Sequence, residues 1–256
     1  MRAKDSNRND TKKKNTKHKG KGVHFESESK KIRVSSKKSA FGETESFRQL
    51  RTNIEFSSFS KDIKVVNTTS ANPGEGKSTV ACNLALISIA KYDKVLLIDC
   101  DMRKPVQHKI FKVSNQVGVG DLLKNLDAFD IEDKTYFSKI KYGDFPGNLY
   151  ILPAGTHIPN PQELLASDKF KELLNKCREA FDFVIVDCPP LNACADAIPV
   201  ANACDGTVFV LSAKDTQKKF AKNAITELNR GGANVLGCVL NKVEAEAKTY
   251  YNYYAD

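Results

Sequence analysis

No apolar run in this 256-residue chain approaches the roughly 18–20 residues that a helix needs to cross a bilayer. The first residues carry no apolar segment of the kind that directs secretion. A soluble chain is therefore expected, with any membrane attachment borrowed or peripheral. Cys-x-x-Cys spacing is also missing: Cys82, Cys100, Cys177, Cys188, Cys194, Cys204 and Cys238 form an odd, scattered set. That argues against a zinc site and against a disulfide framework. Most of these thiols sit in apolar stretches, where cysteine behaves as a small hydrophobe, and this suits a reducing cytosol. There is no internal repeat. An excess of one charge is absent from most of the chain as well. Residues 39–256 hold 26 basic and 27 acidic residues, whereas residues 1–38 hold 14 basic and 4 acidic. The net charge of +9 is thus a property of the N-terminal tail, and the nearly neutral remainder argues against a nucleic-acid-binding body.

Residues 1–39 are Lys, Ser, Asn, Asp and Thr with almost nothing apolar. Such a segment cannot bury enough surface to offset its ordering entropy, and it reads as disordered. Plain solvation accounts for its charge. The functional alternative is attraction to an anionic membrane face, worth about 1 kcal/mol per basic residue near the surface. Nucleic acid comes third, because only Phe25 interleaves with the lysines. From Phe41 to Phe56, Phe47, Leu50 and Ile54 recur at helical steps on one face. Strand and helix then alternate, with strands predicted at 63–68, 94–99, 148–152, 182–187, 206–211 and 234–240. Helices are predicted at 78–91, 119–125, 162–180, 196–203 and 216–230. Val95–Ile98, Phe183–Val186 and Val208–Leu211 are continuously apolar, as strands covered on both faces are. The pattern predicts an α/β fold with a doubly wound, mostly parallel sheet flanked by helices. The segment 245–256 is short, polar and rich in tyrosine.

The most informative stretch is Thr69 to Val80, T-S-A-N-P-G-E-G-K-S-T-V. It links a predicted strand to a predicted helix, the setting in which backbone N–H groups and a helix N-terminus cradle phosphate. Asn72, Pro73, Gly74, Glu75, Gly76, Lys77, Ser78 and Thr79 are the candidate nucleotide-binding residues. Lys77 suits the β/γ-phosphates and the Ser78 hydroxyl suits a magnesium ion. Ala71 stands where the usual pattern has its first glycine, a mild departure.

Two further strands end in acid. Val95-Leu-Leu-Ile-Asp99-Cys-Asp101-Met-Arg103 delivers two carboxylates and an arginine, and Phe183-Val-Ile-Val-Asp187-Cys-Pro-Pro delivers a third carboxylate. Open α/β sheets bind ligands at the carboxyl ends of their strands. A single aspartate there is most often a cap or a turn former. Three beside a phosphate loop fit a magnesium–nucleotide site, since Mg²⁺ takes few protein oxygens and leaves the rest to phosphate and water.

Together these motifs resemble the bacterial tyrosine kinase family of P-loop proteins, in its cytoplasmic Gram-positive form, over about residues 40–256. Ser70–Thr79, Val95–Arg103 and Val184–Pro190 are similar to that family's Walker A, A′ and B motifs. D-M-R-K-P-V-Q-H-K-I-F (101–111), V-G-D-L-L (119–123), P-A-G-T-H-I-P-N-P-Q-E-L-L-A-S (153–167), L-G-C-V-L-N-K-V (236–243) and the terminal tyrosines resemble it too. Septum-positioning and chromosome-partitioning ATPases share the scaffold and form the alternative. They carry a signature lysine where this chain has Asn72.

The resemblance implies an ATP- and Mg²⁺-dependent protein-tyrosine autokinase occupying 40–244, with 40–58 as an oligomerisation helix. It implies that Lys77 neutralises the transferred phosphoryl group, that Ser78 and Asp101 hold Mg²⁺, and that Asp187 contacts it through water. Asp99 is the candidate for orienting and deprotonating the phenol, with its division of labour from Asp101 left open. Arg103 either contacts phosphate or pairs with a local acid. Asn241 either reads adenine or merely ends its strand. Tyr250, Tyr251, Tyr253 and Tyr254 are the implied autophosphorylation sites, reached in trans. Glu45, Arg48 and Arg51 share a helix face. Their spacing allows intrahelical pairs worth about 0.2–0.5 kcal/mol each, while the resemblance implies a contact that closes a homo-oligomeric ring, for which arginine's planar fork is suited. Further implied partners are a membrane-embedded activator or polysaccharide co-polymerase subunit and a cognate tyrosine phosphatase, with no nucleic acid. The implied setting is the cytoplasm, at the inner face of the membrane, in control of capsular or exopolysaccharide synthesis.

Overall fold

The apolar runs assemble into one seven-stranded sheet, whose strands are β1 (Val65–Ser70), β2 (Lys94–Asp99), β3 (Ser138–Ile140), β4 (Asn148–Leu152), β5 (Phe183–Asp187), β6 (Gly206–Ser212) and β7 (Val235–Asn241). The computed structural model describes residues 41–57 and 62–243. Both expected tails lie outside the described residues, and with them Tyr250, Tyr251, Tyr253 and Tyr254. The strand order is β3-β4-β2-β5-β1-β6-β7. Every pairing is parallel except that of β3 with β4. β3 was not expected: a three-residue Ser-Lys-Ile edge strand leaves no periodic signal, and only its neighbour defines it.

The helices are α1 (Phe41–Ser57), α2 (Lys77–Ser88), α3 (Gln107–Phe111), α4 (Val119–Lys124), α5 (Pro161–Leu165), α6 (Asp168–Ala180), α7 (Ala197–Ala203) and α8 (Lys218–Arg230). The single helix expected over 162–180 is two. Ser167 caps α6 by accepting from the Phe170 N–H at 3.3 Å, while its hydroxyl donates to the Leu164 carbonyl at 2.6 Å. A serine whose oxygen serves the backbone on both sides stops one helix and starts the next.

Side chains alternate across the sheet and build a core on each face. On one face Leu96, Ile98, Leu152, Val184, Val186 and Phe209 meet residues of α4 to α8 such as Leu122, Phe170, Leu173, Val200 and Leu228. On the other, Val66, Val95, Leu97, Ile151 and Ile185 meet α2 and Ile54 of α1. Each such side chain contributes about 1.5–3 kcal/mol through burial. α2 is the central helix: from Val80 to Ser88 every residue is buried, as an element covered on all sides must be.

α1 lies on α2 through Phe47, Leu50 and Ile54. Arg51 fastens it by donating from Nη1 to the Ile87 carbonyl (2.9 Å) near the end of α2, and its Nε lies 3.4 Å from Glu55. Glu45 and Arg48 form an exposed pair at 3.0 Å. The seven cysteines are free, and five of them are buried. No helix among the described residues is long and apolar enough to cross a membrane.

Candidate active site

The parallel register sets the site. Asp99 at the end of β2 and Thr68 in β1 both flank Asp187 at the end of β5, so two carboxylates meet beneath the loop that joins β1 to α2. In that loop Gly74 (φ 83°) and Gly76 (φ 102°) take left-handed conformations that side-chain-bearing residues rarely adopt. A Cβ on Gly76 would collide with the Asn241 side chain. The turn delivers Lys77 as the first residue of α2.

Lys77 is 8% exposed. Its ammonium donates to Asp101 Oδ2 (2.8 Å), Ser78 Oγ (3.1 Å) and Asp187 Oδ1 (3.5 Å). Burial works against that charge, but Asp187 and Asp101 outweigh it, and the proton is held more firmly than on a free lysine. The acids behave differently. Burial, followed by the neighbouring Asp187 charge, pushes Asp99 up to about 8. Burial raises Asp187 as well, although Lys77 and hydrogen bonds from Ser78 and Gln107 oppose it. Lysine and acid are thus both shifted toward their protonated forms across one ion pair. Burial is the larger cause for the acids, and the charge imbalance adds to it, since one ammonium faces three buried carboxylates.

That unbalanced negative charge, with the Ser78 hydroxyl beside it, fits a divalent cation held by Ser78, Asp101 and Asp187. Among the described residues no group of three or more His, Cys, Asp or Glu side chains forms a self-sufficient metal cage.

Asp99 is fully buried and its oxygens are engaged. Oδ1 accepts from the Asp101 N–H (3.1 Å), and Oδ2 accepts from the N–H groups of Val106 and Gln107 (3.0 Å each). It thereby caps the start of α3, a helix the sequence did not announce. Asp101 Oδ1 accepts from the Lys104 N–H at 3.0 Å.

Arg103 is spoken for by an acid rather than left open toward the loop. Its Nε and Nη2 grip Asp196 at 2.7 and 3.1 Å, and that bidentate bond raises its proton affinity further. Asp196 is 1% exposed and lies 93 residues away in sequence. The pair ties the segment after β2 to the one after β5. Asn241 ends β7 with its Nδ2 donating to the Glu75 carbonyl at 3.0 Å.

Two residues were missed by sequence reasoning in these roles. Glu75, expected only as part of the loop, is 1% exposed and holds the loop's shape. Its carboxylate accepts from the Asn72 N–H (2.9 Å), from Asn72 Nδ2 (3.4 Å) and from the Thr216 hydroxyl (2.6 Å). Asn72 in turn accepts from Asn192 Nδ2 at 2.9 Å. Pro73 and Thr79 complete the turn into α2. Gln107, wholly buried, donates to the Ser78 carbonyl (3.1 Å) and to Asp187 Oδ2 (2.8 Å). A glutamine eight residues after a strand end carries no sequence signal for this, because its partners come from two other elements.

Known proteins resemble this chain over most of its length. A family model described as an AAA domain matches residues 62–228. Tyrosine-protein kinase YwqD of Bacillus subtilis strain 168 is 41% identical over 211 residues, covering 82% of this chain and 86% of that protein. Among solved structures, the chimerical protein CapA2B2 superposes with a TM-score of 0.71 at 35% identity, covering 82% of this chain and 88% of that one. The kinase domain of the Escherichia coli tyrosine kinase ETK gives a TM-score of 0.68 at 29% identity, over 79% of this chain and 78% of that one. With Lys77, Asp99, Asp101 and Asp187 gathered at the strand ends as its Walker motifs suggest, the chain belongs to the bacterial tyrosine kinase family.

Proposed function

We propose that this chain is an ATP-dependent protein-tyrosine kinase whose acceptors are Tyr250, Tyr251, Tyr253 and Tyr254 of a neighbouring copy. The observation that carries the reading is the Lys77 ammonium, held between Asp101 and Asp187 at the N-terminus of α2 beside the Ser78 hydroxyl. Phosphoryl transfer requires positioning and charge stabilisation more than covalent chemistry from the protein. The loop 72–79 offers backbone N–H groups to the phosphates, and Lys77 offsets the charge that develops on the transferred group. When bound through Ser78, Asp101 and Asp187, Mg²⁺ supplies charge neutralisation and fixes the phosphate oxygens.

Asp99 receives the phenol proton in this reading. A tyrosine hydroxyl with a pKa near 10 is almost wholly protonated at neutral pH. A base works best when its own value lies near the working pH, and burial has moved Asp99 there. The backbone turn over 101–107 must open for a phenol to reach it. Arg103 holds the 99–107 segment through Asp196, and Asn241 braces the loop and borders the adenine position.

The kinase unit spans 40–244. It works as a ring in which Glu45 and Arg48 face the next subunit while Arg51 anchors α1. A membrane-embedded activator recruits it to the inner face of the membrane, where it regulates capsular or exopolysaccharide synthesis and a tyrosine phosphatase resets it. The positioning-ATPase reading is disfavoured: Asn72 occupies the place of that group's signature lysine, and its side chain bonds to Glu75 and Asn192.

The test is phosphotyrosine mass spectrometry on protein purified from the cells that make it. Phosphate is expected within residues 250–254 of the wild type and absent from Lys77→Met. Wild-type protein that hydrolyses ATP while these tyrosines stay unmodified would overturn the proposal.

A further inference from the structure

Gln107 is an uncharged side chain that joins the phosphate-loop helix to the end of β5. Its Nε2 spends both hydrogens, one on the Ser78 carbonyl at 3.1 Å and one on Asp187 Oδ2 at 2.8 Å. Its backbone N–H goes to Asp99 Oδ2 at 3.0 Å. The amide cannot be turned round, because Oε1 would then face a carbonyl and a carboxylate, two acceptors with no hydrogen to give. The orientation is therefore fixed, and it leaves Oε1 buried with no hydrogen-bond partner. Buried amide oxygens are nearly always satisfied, and one left over signals a missing partner such as water or an ion's hydration shell.

We infer that Gln107 is a positioning residue for the divalent-cation site, holding Asp187 at a set distance from Ser78 and offering Oε1 to a water of the cation's shell. The inference rests on the kinase reading for the identity of the site. Two of that site's three cation-binding residues, Ser78 and Asp187, come from α2 and β5, and this amide bridges those elements from a third segment, beside Lys77 and the direct Ser78–Asp187 hydrogen bond. A carboxylate that holds water rather than the ion directly depends on such a partner for its aim. Removing partners of this kind typically costs about 10–100-fold in metal affinity.

The test compares binding of a fluorescent ADP analogue with and without Mg²⁺ in wild type, Gln107→Met and Gln107→Asn. Methionine keeps the volume and removes the donors, whereas asparagine keeps the amide one methylene short. Mg²⁺ should tighten binding to the wild type, and this gain should shrink by about tenfold in Gln107→Met and by less in Gln107→Asn. The readout is the gain from Mg²⁺ within each variant rather than either affinity alone, since losing the bond to the Ser78 carbonyl also acts on Mg²⁺-free binding. Equal losses with and without Mg²⁺, or an undiminished gain in a variant that melts as a folded protein, would overturn the inference. If thermal melting shows that the methionine variant does not fold, the asparagine variant decides by the same ratio. A wild type whose affinity ignores Mg²⁺ would instead overturn the cation site on which the inference rests.

Discussion

Replacing Lys77 by Met should expose how the site's charges are balanced. The ammonium is 8% exposed, Asp101 4% and Asp187 not at all, so the substitution leaves buried carboxylates without their counter-ion. Stranding a buried charge in this way costs about 3–5 kcal/mol when the acids remain ionised. They need not remain so, because protonation relieves the strain at about 1.4 kcal/mol per unit between the pH and the group's pKa. In the wild type, Asp99 is already raised to about 8 from 3.8, and Asp187 is shifted the same way. Between those values the folded chain holds protons that the unfolded chain releases, so stability falls as pH rises from about 4 to 8. Lys77 keeps its proton in both states across this window and adds no slope of its own. Without it the acids bind protons still more tightly, and the fall becomes steeper. The deficit of Lys77→Met should therefore approach 3–5 kcal/mol at pH 8 and shrink toward pH 5. Urea unfolding at pH 5, 6, 7 and 8, without nucleotide and with a chelator, measures it. A deficit that is constant with pH, or that widens in acid, would refute the charge-balance account.

Gly76→Ala should lose nucleotide binding and about 1–2 kcal/mol of stability from the left-handed backbone alone, with Asn241→Ala in the same chain recovering the part due to collision; thermal unfolding and nucleotide titration of the single and double variants check this. Thr216→Val removes the hydroxyl at 2.6 Å from Glu75. It should cost about 1–3 kcal/mol and weaken nucleotide binding, read by urea unfolding and titration. Changing all four terminal tyrosines to Phe should abolish self-labelling with radioactive ATP and leave the oligomer's mass by light scattering unchanged; an assembly that falls apart would contradict a ring closed through Glu45 and Arg48 of α1.

The central sheet was legible because strands covered on both faces must be apolar throughout, and Val95–Ile98 and Phe183–Val186 announce themselves without help from context. The loop from Asn72 to Thr79 was legible for a similar reason, since a glycine turn before a helix does its work locally. Long-range bonds hid the rest. α3 exists because Asp99 accepts the N–H groups at its start, and five residues hold no period to read. Arg103 was left between phosphate and acid because its partner, Asp196, belongs to another loop. Arg51 could be seen on the same face as Glu45 and Arg48, but not that it turns inward to the Ile87 carbonyl. The break at Ser167 was readable in principle, as a serine followed by Asp168 is a good helix start; the apolar residues on either side masked it.

The position of Asn241 has a mechanical consequence. Its amide is bonded to the backbone of Glu75 and its side chain abuts Gly76, so the edge strand β7 is latched to the turn between β1 and α2. Displacing the end of β7 would therefore disturb the turn that leads into Lys77. Whatever holds the sheet's edge in register also holds the loop's shape.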